Sequence, residues 1–175
     1  MKTPILETER MILRPLSLVD AEYIYNNWTS DPEVAKYMIW DLHESVNDTI
    51  EWLKIETVNV DSDKNYIWGF VLKETGKLIG SGGINYKESH NRYELGYNIM
   101  KKYWNQGYTT EASRAILEYA TNELGIKHYL CSHAVENIAS GKVMIKLGFV
   151  YDKDNSYSSF SGKKVFQSKE YILDF

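Results

Sequence analysis

Cysteine is almost missing from this chain: Cys131 is the only one among 175 residues. A lone cysteine closes no internal disulfide, so the sequence points to a reducing compartment, with the cytoplasm as the default. Proline is scarce as well, with three in all, each before residue 33. No linker-like stretch, internal repeat, low-complexity tract or charged tail divides the chain. No run of about 18 apolar residues occurs, which excludes an obvious membrane-spanning helix. The opening Met-Lys-Thr-Pro-Ile-Leu-Glu has no apolar stretch of about 7–15 residues, so no signal peptide is visible. A basic excess is lacking too. Twenty Lys and Arg against 24 Asp and Glu give a net charge of −4, which argues against a nucleic-acid binder and suits a cationic substrate such as an amine.

What is present is the composition of a folded globular protein, 43% hydrophobic and 25% charged. The length predicts one domain over residues 1–175. Aromatics reach 14%, enough to line a cleft as well as a core. The first strand is expected at 9–14. Ser17-Leu18-Val19-Asp20 has the form of a capping box and predicts a helix to about Trp28. Asp31-Pro32 predicts a second helix start, and Ser45-Val46-Asn47-Asp48 a third, opening a helix near 46–58. The texture then turns to aromatic and β-branched residues. A hairpin is expected over 66–84 around Glu74-Thr75-Gly76-Lys77, then a strand over 92–100. Ala112, Ala115, Ile116, Tyr119, Ala120 and Leu124 keep helical spacing up to a capping Gly125. A strand at 127–134, a helix from Asn137 to Leu147 closed by Gly148, and two final strands complete a mixed α/β (α+β) domain.

Chemistry concentrates in Tyr103-Trp104-Asn105-Gln106-Gly107-Tyr108-Thr109-Thr110-Glu111-Ala112. Gly107 lets the backbone turn and approach a ligand closely. The unpaired N–H groups of the helix that follows form an anion site suited to a pyrophosphate. By itself the segment equally describes an ordinary strand–helix turn. It is not a phosphate-binding loop of the Gly-Lys-Ser/Thr type, nor a three-glycine dinucleotide fingerprint. A second segment, Asn137-Ile138-Ala139-Ser140 through Gly148-Phe149, likewise reads alone as an N-cap followed by a solvated first turn.

Together the two segments resemble the GNAT superfamily of N-acetyltransferases. Within it the chain is similar to the group that acetylates N-terminal alanine or serine of ribosomal proteins. The likeness runs through Thr8-Glu9-Arg10-Met11-Ile12-Leu13-Arg14-Pro15-Leu16 with Asp20 and Trp28. It continues through Glu94-Leu95-Gly96-Tyr97 with the glycine loop, and through Asn137 to Ser140 with Val143, Lys146 and Gly148-Phe149. The resemblance implies a mostly antiparallel sheet flanked by helices and splayed between strands 92–100 and 127–134, with acetyl-coenzyme A in the opening. Pantetheine would pair with backbone at Asn98, Ile99 and Met100. The pyrophosphate would lie on the loop Asn105, Gln106, Gly107, Tyr108, Thr109 and Thr110. Asn137 would reach the pantetheine, and the helix carrying Ser140 and Lys146 would flank the far arm. The expected activity is acetyl transfer to a primary amine by direct attack in a ternary complex, at a peptide or protein N-terminus. A small amine as acceptor, and a non-catalytic acyl-coenzyme A-binding module, are the alternatives. Monomer or homodimer is expected, without nucleic acid or membrane.

Two positions depart from the superfamily pattern. Thr109 stands where Gly or Ala is usual. Met144 stands near the position where many members carry a tyrosine acid, and methionine donates no proton. Glu94 is the candidate base, or alternatively a partner for Arg92. Ser140 is the candidate acid, or only a coenzyme contact. His133 is either a packed ring or a residue that binds coenzyme or relays a proton, and Cys131 is read as core. The remaining histidines form no spaced set with Cys131, so no metal is expected. Trp28, Tyr37, Trp40 and Trp52 are expected either in the acceptor wall or in the core. Asp31 and Asp41 are read as amine partners or solvated loop acids.

Overall fold

The computed structural model describes residues 3–175. Two short strands open it, β1 (Leu6–Glu7) and β2 (Met11–Arg14). They replace the single strand expected over 9–14. The cause is local: Thr8 Oγ1 and the Arg10 backbone N–H turn away from the sheet to bond the Glu111 carboxylate at 2.7 and 2.8 Å. A helical run follows as a 3-10 turn at Leu18–Asp20, α1 (Ala21–Ile24) and a π turn at Tyr25–Thr29. Next come α2 (Pro32–Ala35) and α3 (Val46–Asn59). The caps sit where the sequence places them. Asp20 accepts from Ser17 N–H and Asp48 from Ser45 N–H, both at 2.9 Å, and Asp31 accepts from Glu33 N–H at 2.9 Å. Each carboxylate satisfies a backbone donor that the helix start leaves unpaired.

The meander β3 (Asn65–Leu72), β4 (Leu78–Lys87) and β5 (Arg92–Ile99) is antiparallel throughout. Then come α4 (Tyr108–Asn122), β6 (His128–Ala134), α5 (Ile138–Lys146), β7 (Val150–Ser158) and β8 (Val165–Asp174). One eight-stranded sheet results, in the order β1-β2-β3-β4-β5-β6-β8-β7. Helices cover both faces. Alternation along each strand sends Trp68, Phe70, Leu95 and Ile99 to one side, where they join Ala112, Ile116 and Ala120 of α4 and Met144 of α5 in a buried cluster. Ile67, Val71 and Leu78 meet Ile24, Trp28 and Leu53 of the N-terminal helices in a second cluster. Burying a large apolar side chain contributes about 1.5–3 kcal/mol, so these two clusters fix which face each helix covers.

The sheet contains one parallel pair, β5 with β6, and it is short. Only Tyr93↔Tyr129 and Glu94↔Leu130 are in register. Beyond them β5 runs on to Ile99 and β6 to Ala134 without pairing to each other. The strands therefore diverge, and the sheet opens at its middle as the resemblance implied.

Candidate active site

Three walls meet at this opening. The first is the turn into α4. Asn105 and Gly107 both take the left-handed conformation, with φ of 59° and 81°, and Gly107 caps the helix that starts at Tyr108. Thr110, one turn into α4, lines an open cleft of about 460 Å³ together with Gly107, Arg114, Glu118 and Lys146. The helix start and two cations, Arg114 and Lys146, share this cleft with the carboxylates of Glu7, Glu111 and Glu118. Lys146 was among the residues that the family resemblance implied for the coenzyme. Arg114 was not, although Thr110 and Arg114 stand one helical turn apart and share a face.

The turn is braced from the N-terminus. Arg10 donates to the Gln106 carbonyl at 2.9 Å, its guanidinium lies 4.1 Å over the Tyr108 ring, and its Nε meets Glu111 at 2.6 Å. Burial pushes the Glu111 carboxyl upward. The hydrogen bonds from Arg10 N–H and the Thr8 hydroxyl, with the Arg10 charge, outweigh that and hold it below the ordinary carboxylate range.

The second wall is the α4-facing side of β5 and β6 with the start of α5. The Tyr97 hydroxyl shares a hydrogen bond with Ser140 Oγ at 3.0 Å and donates to the Ser140 carbonyl at 3.2 Å. Asn137 is the N-cap of α5, its side-chain oxygen accepting from Ser140 N–H at 3.3 Å. Cys131 is buried and its thiol donates to the Leu95 carbonyl at 3.1 Å. Burial, then the nearby Glu94 charge, drives the thiol pKa far up, so the thiolate needed for acyl-cysteine chemistry is disfavoured. His133 Nδ1 lies 2.7 Å from the Ala134 carbonyl, which makes that nitrogen the donor. The ring lies under Gly141, where an added Cβ would stand 2.7 Å from His133 Nε2. His133 is thus packed beneath the helix. Met144 is fully buried in the same cluster.

The third wall is the opposite face, since alternation puts Glu94 and Asn98 across the sheet from Tyr97. Glu94 forms an ion pair with Lys87 at 2.9 Å. Arg92, its possible partner from sequence, instead pairs with Asp174 at 2.5 Å. Asn98 Nδ2 donates to Ser81 Oγ at 3.0 Å, while its Oδ1 has no partner among the described residues. Backbone N–H of Met100 donates to the Ile79 carbonyl at 2.8 Å, so it is engaged by β4. The Ile99 carbonyl accepts from Trp104 Nε1 at 2.9 Å. By antiparallel alternation, Tyr97 and Ile99 are the residues whose backbone faces the opening.

On that face the N-terminal helices divide as the sequence left open. Trp28 is core, and Trp40 and Trp52 pack at its edge. Tyr37 contacts Phe166 at 6.2 Å between ring centres. Asp31 is used as a helix cap, and Asp41 accepts two hydrogen bonds from Ser161 at 3.1 and 2.8 Å. The β7–β8 tip is tied to the 35–43 segment. Lys164 Nζ donates to the carbonyls of Ala35, Met38 and Trp40 at 3.1–3.2 Å, Tyr157 to Tyr37, and Phe160 N–H to Ile39. Among the described residues no group of three or more His, Cys, Asp or Glu is placed to hold a metal ion, and no helix is long and apolar enough to cross a membrane.

This architecture has counterparts. Residues 10–150 match the acetyltransferase (GNAT) domain family, and the chain belongs to that family. YoaA of Bacillus subtilis, an uncharacterised N-acetyltransferase, is 31% identical over 147 residues, covering 83% of this chain and 82% of its own. A GNAT-family acetyltransferase from Bacillus anthracis superposes with a TM-score of 0.83 at 23% identity, covering 98% of each chain. The ribosomal-protein-S5-alanine acetyltransferase from Vibrio fischeri gives 0.82 at 15%, over 98% of this chain and 96% of that one. The protein is accordingly an acetyl-coenzyme A-dependent N-acetyltransferase.

Proposed function

We propose that this chain, as a single domain, acetylates the α-amine at the start of a peptide or protein by direct attack within a ternary complex. The observation that carries the reading is the interrupted β5–β6 pairing, which stops after Glu94↔Leu130. It leaves the backbone of Tyr97 and Ile99 facing the opening, with Glu94 on one face of the sheet and Ser140 on the other. Two reactants can thus approach the same gap from opposite sides, and such positioning supplies much of the acceleration in an acyl transfer.

Bound acetyl-coenzyme A supplies the thioester. The Gln106–Thr110 turn, Arg114 and Lys146 hold its phosphates, and the Tyr97 and Ile99 backbone orients its pantetheine arm together with Asn137. The Ile99 N–H polarises the acetyl carbonyl, on whose oxygen charge develops. Glu94 takes the amine proton through water. An N-terminal amine has a pKa of about 7.7–8.0, so a useful fraction is neutral at pH 7 and the base has a modest task. Ser140 hydrogen-bonds the departing sulfur. The peptide preference is supported by the N-terminal sequence resemblance and by likeness in fold to an enzyme named for ribosomal-protein alanine.

Free-thiol release from acetyl-coenzyme A, measured over peptides beginning with Ala, Ser or Met and over small amines, tests the reading. Turnover restricted to small amines refutes the peptide acceptor. Glu94→Gln is expected to lower turnover by ~10²-fold, and an unchanged rate and pH profile across pH 6–9 removes Glu94 as base.

A further inference from the structure

We infer that His90 is a specificity-determining residue for the acceptor. It closes the space over Leu130 beside Glu94, and so limits the group borne next to the reacting amine to about the size of a methyl or hydroxymethyl. The inference rests on the place proposed above for the amine, at Glu94. Two residues flank Glu94 on its face of the sheet: Asn85 on β4 is polar and Leu130 on β6 is apolar. An apolar group beside the amine therefore finds its matching surface over Leu130.

The N-terminal helices on this face pack on Ile67, Val71 and Leu78 of β3 and β4, and Leu130 belongs to neither buried cluster. It is nonetheless only 2% exposed. What closes over it are side chains of the surrounding strands and of the β4–β5 turn. On one side Lys87 reaches Glu94 at 2.9 Å. On the other, Glu170 leaves β8 two positions from Ile172, the partner of Leu130. The His90 ring meets it there, with Nε2 3.4 Å from Glu170 Oε2. Glu170 is 3% exposed and is fixed in turn by Lys153 at 3.2 Å and by Asn155 Nδ2 at 3.1 Å.

The strand register gives the path of the turn. Tyr93 pairs with Tyr129, and Ser132, three positions further along β6, pairs with Glu170. His90 lies three positions before Tyr93. Because β5 and β6 are parallel, an extended chain would carry His90 away from Glu170 along the strand direction. Their contact therefore requires the β4–β5 turn to fold back across β6 on the Glu94 face. The turn is made for a sharp bend. The N–H groups of His90 and Asn91 donate to the carbonyls of Lys87 and Glu88 at 3.1 and 3.3 Å. Asn91 takes the left-handed conformation at φ 51° and accepts from the Tyr86 hydroxyl at 2.6 Å. His90 Nδ1 lies 2.8 Å from Ser89 Oγ, so the ring is contacted at both nitrogens.

The test is kcat/KM for wild type, His90→Ala and His90→Gln with acetyl-coenzyme A and two acceptor series. One is a set of peptides that begin with Gly, Ala, Ser, Met or Leu and are otherwise identical. The other is a set of primary amines of increasing size. Wild type is expected to favour Ala and Ser over Met and Leu by ~10-fold or more, the discrimination that excess methylene groups meet in a closed pocket. His90→Ala uncovers Leu130 and is expected to narrow that ratio ~10-fold by raising use of the large acceptors, with KM for acetyl-coenzyme A within about 2-fold of wild type. Its Tm should stay near wild type, because the side chain removed lies in a partly exposed turn. His90→Gln restores length and a donor toward Glu170, and is expected to keep most of the discrimination. An unchanged ratio in His90→Ala overturns the inference. So does an equal loss over all acceptors, or a wild type that uses Leu as well as Ala. If peptides fail while small amines turn over, the peptide acceptor is refuted, and the ratio of large to small amine still decides the role of His90.

Discussion

Replacing Arg10 with methionine keeps much of the side-chain length and removes the charge that braces the turn proposed to hold the phosphates. Three contacts go: the ion pair with Glu111 at 2.6 Å, the bond to the Gln106 carbonyl at 2.9 Å and the stack on Tyr108 at 4.1 Å. At a half-exposed site each is worth about 0.5–1 kcal/mol, and neighbouring contacts overlap, so ~1 kcal/mol of order in the turn is lost. A second effect adds to this. Glu111 keeps its bonds to Thr8 and the residue-10 backbone but loses its counter-ion, in the first turn of the helix that is to receive phosphates. Like-charge repulsion there costs about 1 kcal/mol. The sum is roughly a 30-fold rise in Kd for coenzyme A. Calorimetric titration at about 50 mM and 500 mM salt separates the two effects, because only the charge effect is screened. Glu111→Gln in the Arg10→Met background is expected to recover the charge part of the loss. Wild-type affinity of folded Arg10→Met at low salt refutes the brace, and no recovery in the double variant refutes its electrostatic half.

Packing and pH offer two further checks. Gly141→Ala places a Cβ 2.7 Å from His133 Nε2 and 3.0 Å from Cε1, in a buried ring with little room to move. The expected cost is about 1–3 kcal/mol, a fall in Tm of roughly 2–10 °C. That fall should shrink when His133→Ala is also present, and an equal fall in both backgrounds refutes the contact. Glu111 and Asp20 both have lowered carboxyl pKa values, Asp20 because Arg14 and Ser17 outweigh burial. A depressed native pKa adds stability that is complete above the ordinary carboxyl range of about pH 4–5, and it is lost as pH falls through the native values. Tm followed from pH 7 to pH 3 should therefore fall less steeply in Glu111→Gln than in wild type, and parallel curves refute the linkage.

Local chemistry made much of the fold legible. The caps at Ser17, Asp31 and Ser45, the apolar spacing of α4 and the turn at residues 74–77 are written within a few residues of where they act. So are the left-handed glycines at 107, 125 and 148. Long-range pairing is different. That β6 lies between β5 and β8, and that β5 leaves β6 after Glu94, follows from no periodicity. Resemblance to a family implied the splay between these two strands, but neither the place of β8 nor the last paired residues. Contacts between distant positions were the most hidden. Arg10 meets Glu111 from 101 residues away and Tyr97 meets Ser140 from 43. In the sequence both Arg10 and Tyr97 belong to matching motifs, neither with a task of its own.

The tie between the β7–β8 tip and residues 35–43 bears on how the two segments can vary. Lys164 satisfies three carbonyls of a segment some 125 positions earlier, and burial lowers its pKa despite the attraction of Asp41. Neither segment is then an independent unit of variation. A change of length or direction in one strands a half-buried ammonium or leaves carbonyls without donors, each a cost of about 1 kcal/mol. Variation on this scaffold should proceed by matched exchange of the two segments. A library that randomises residues 35–43 while holding residues 157–166 fixed should therefore yield mostly unstable clones, whereas transplanting both together from a relative should yield folded ones.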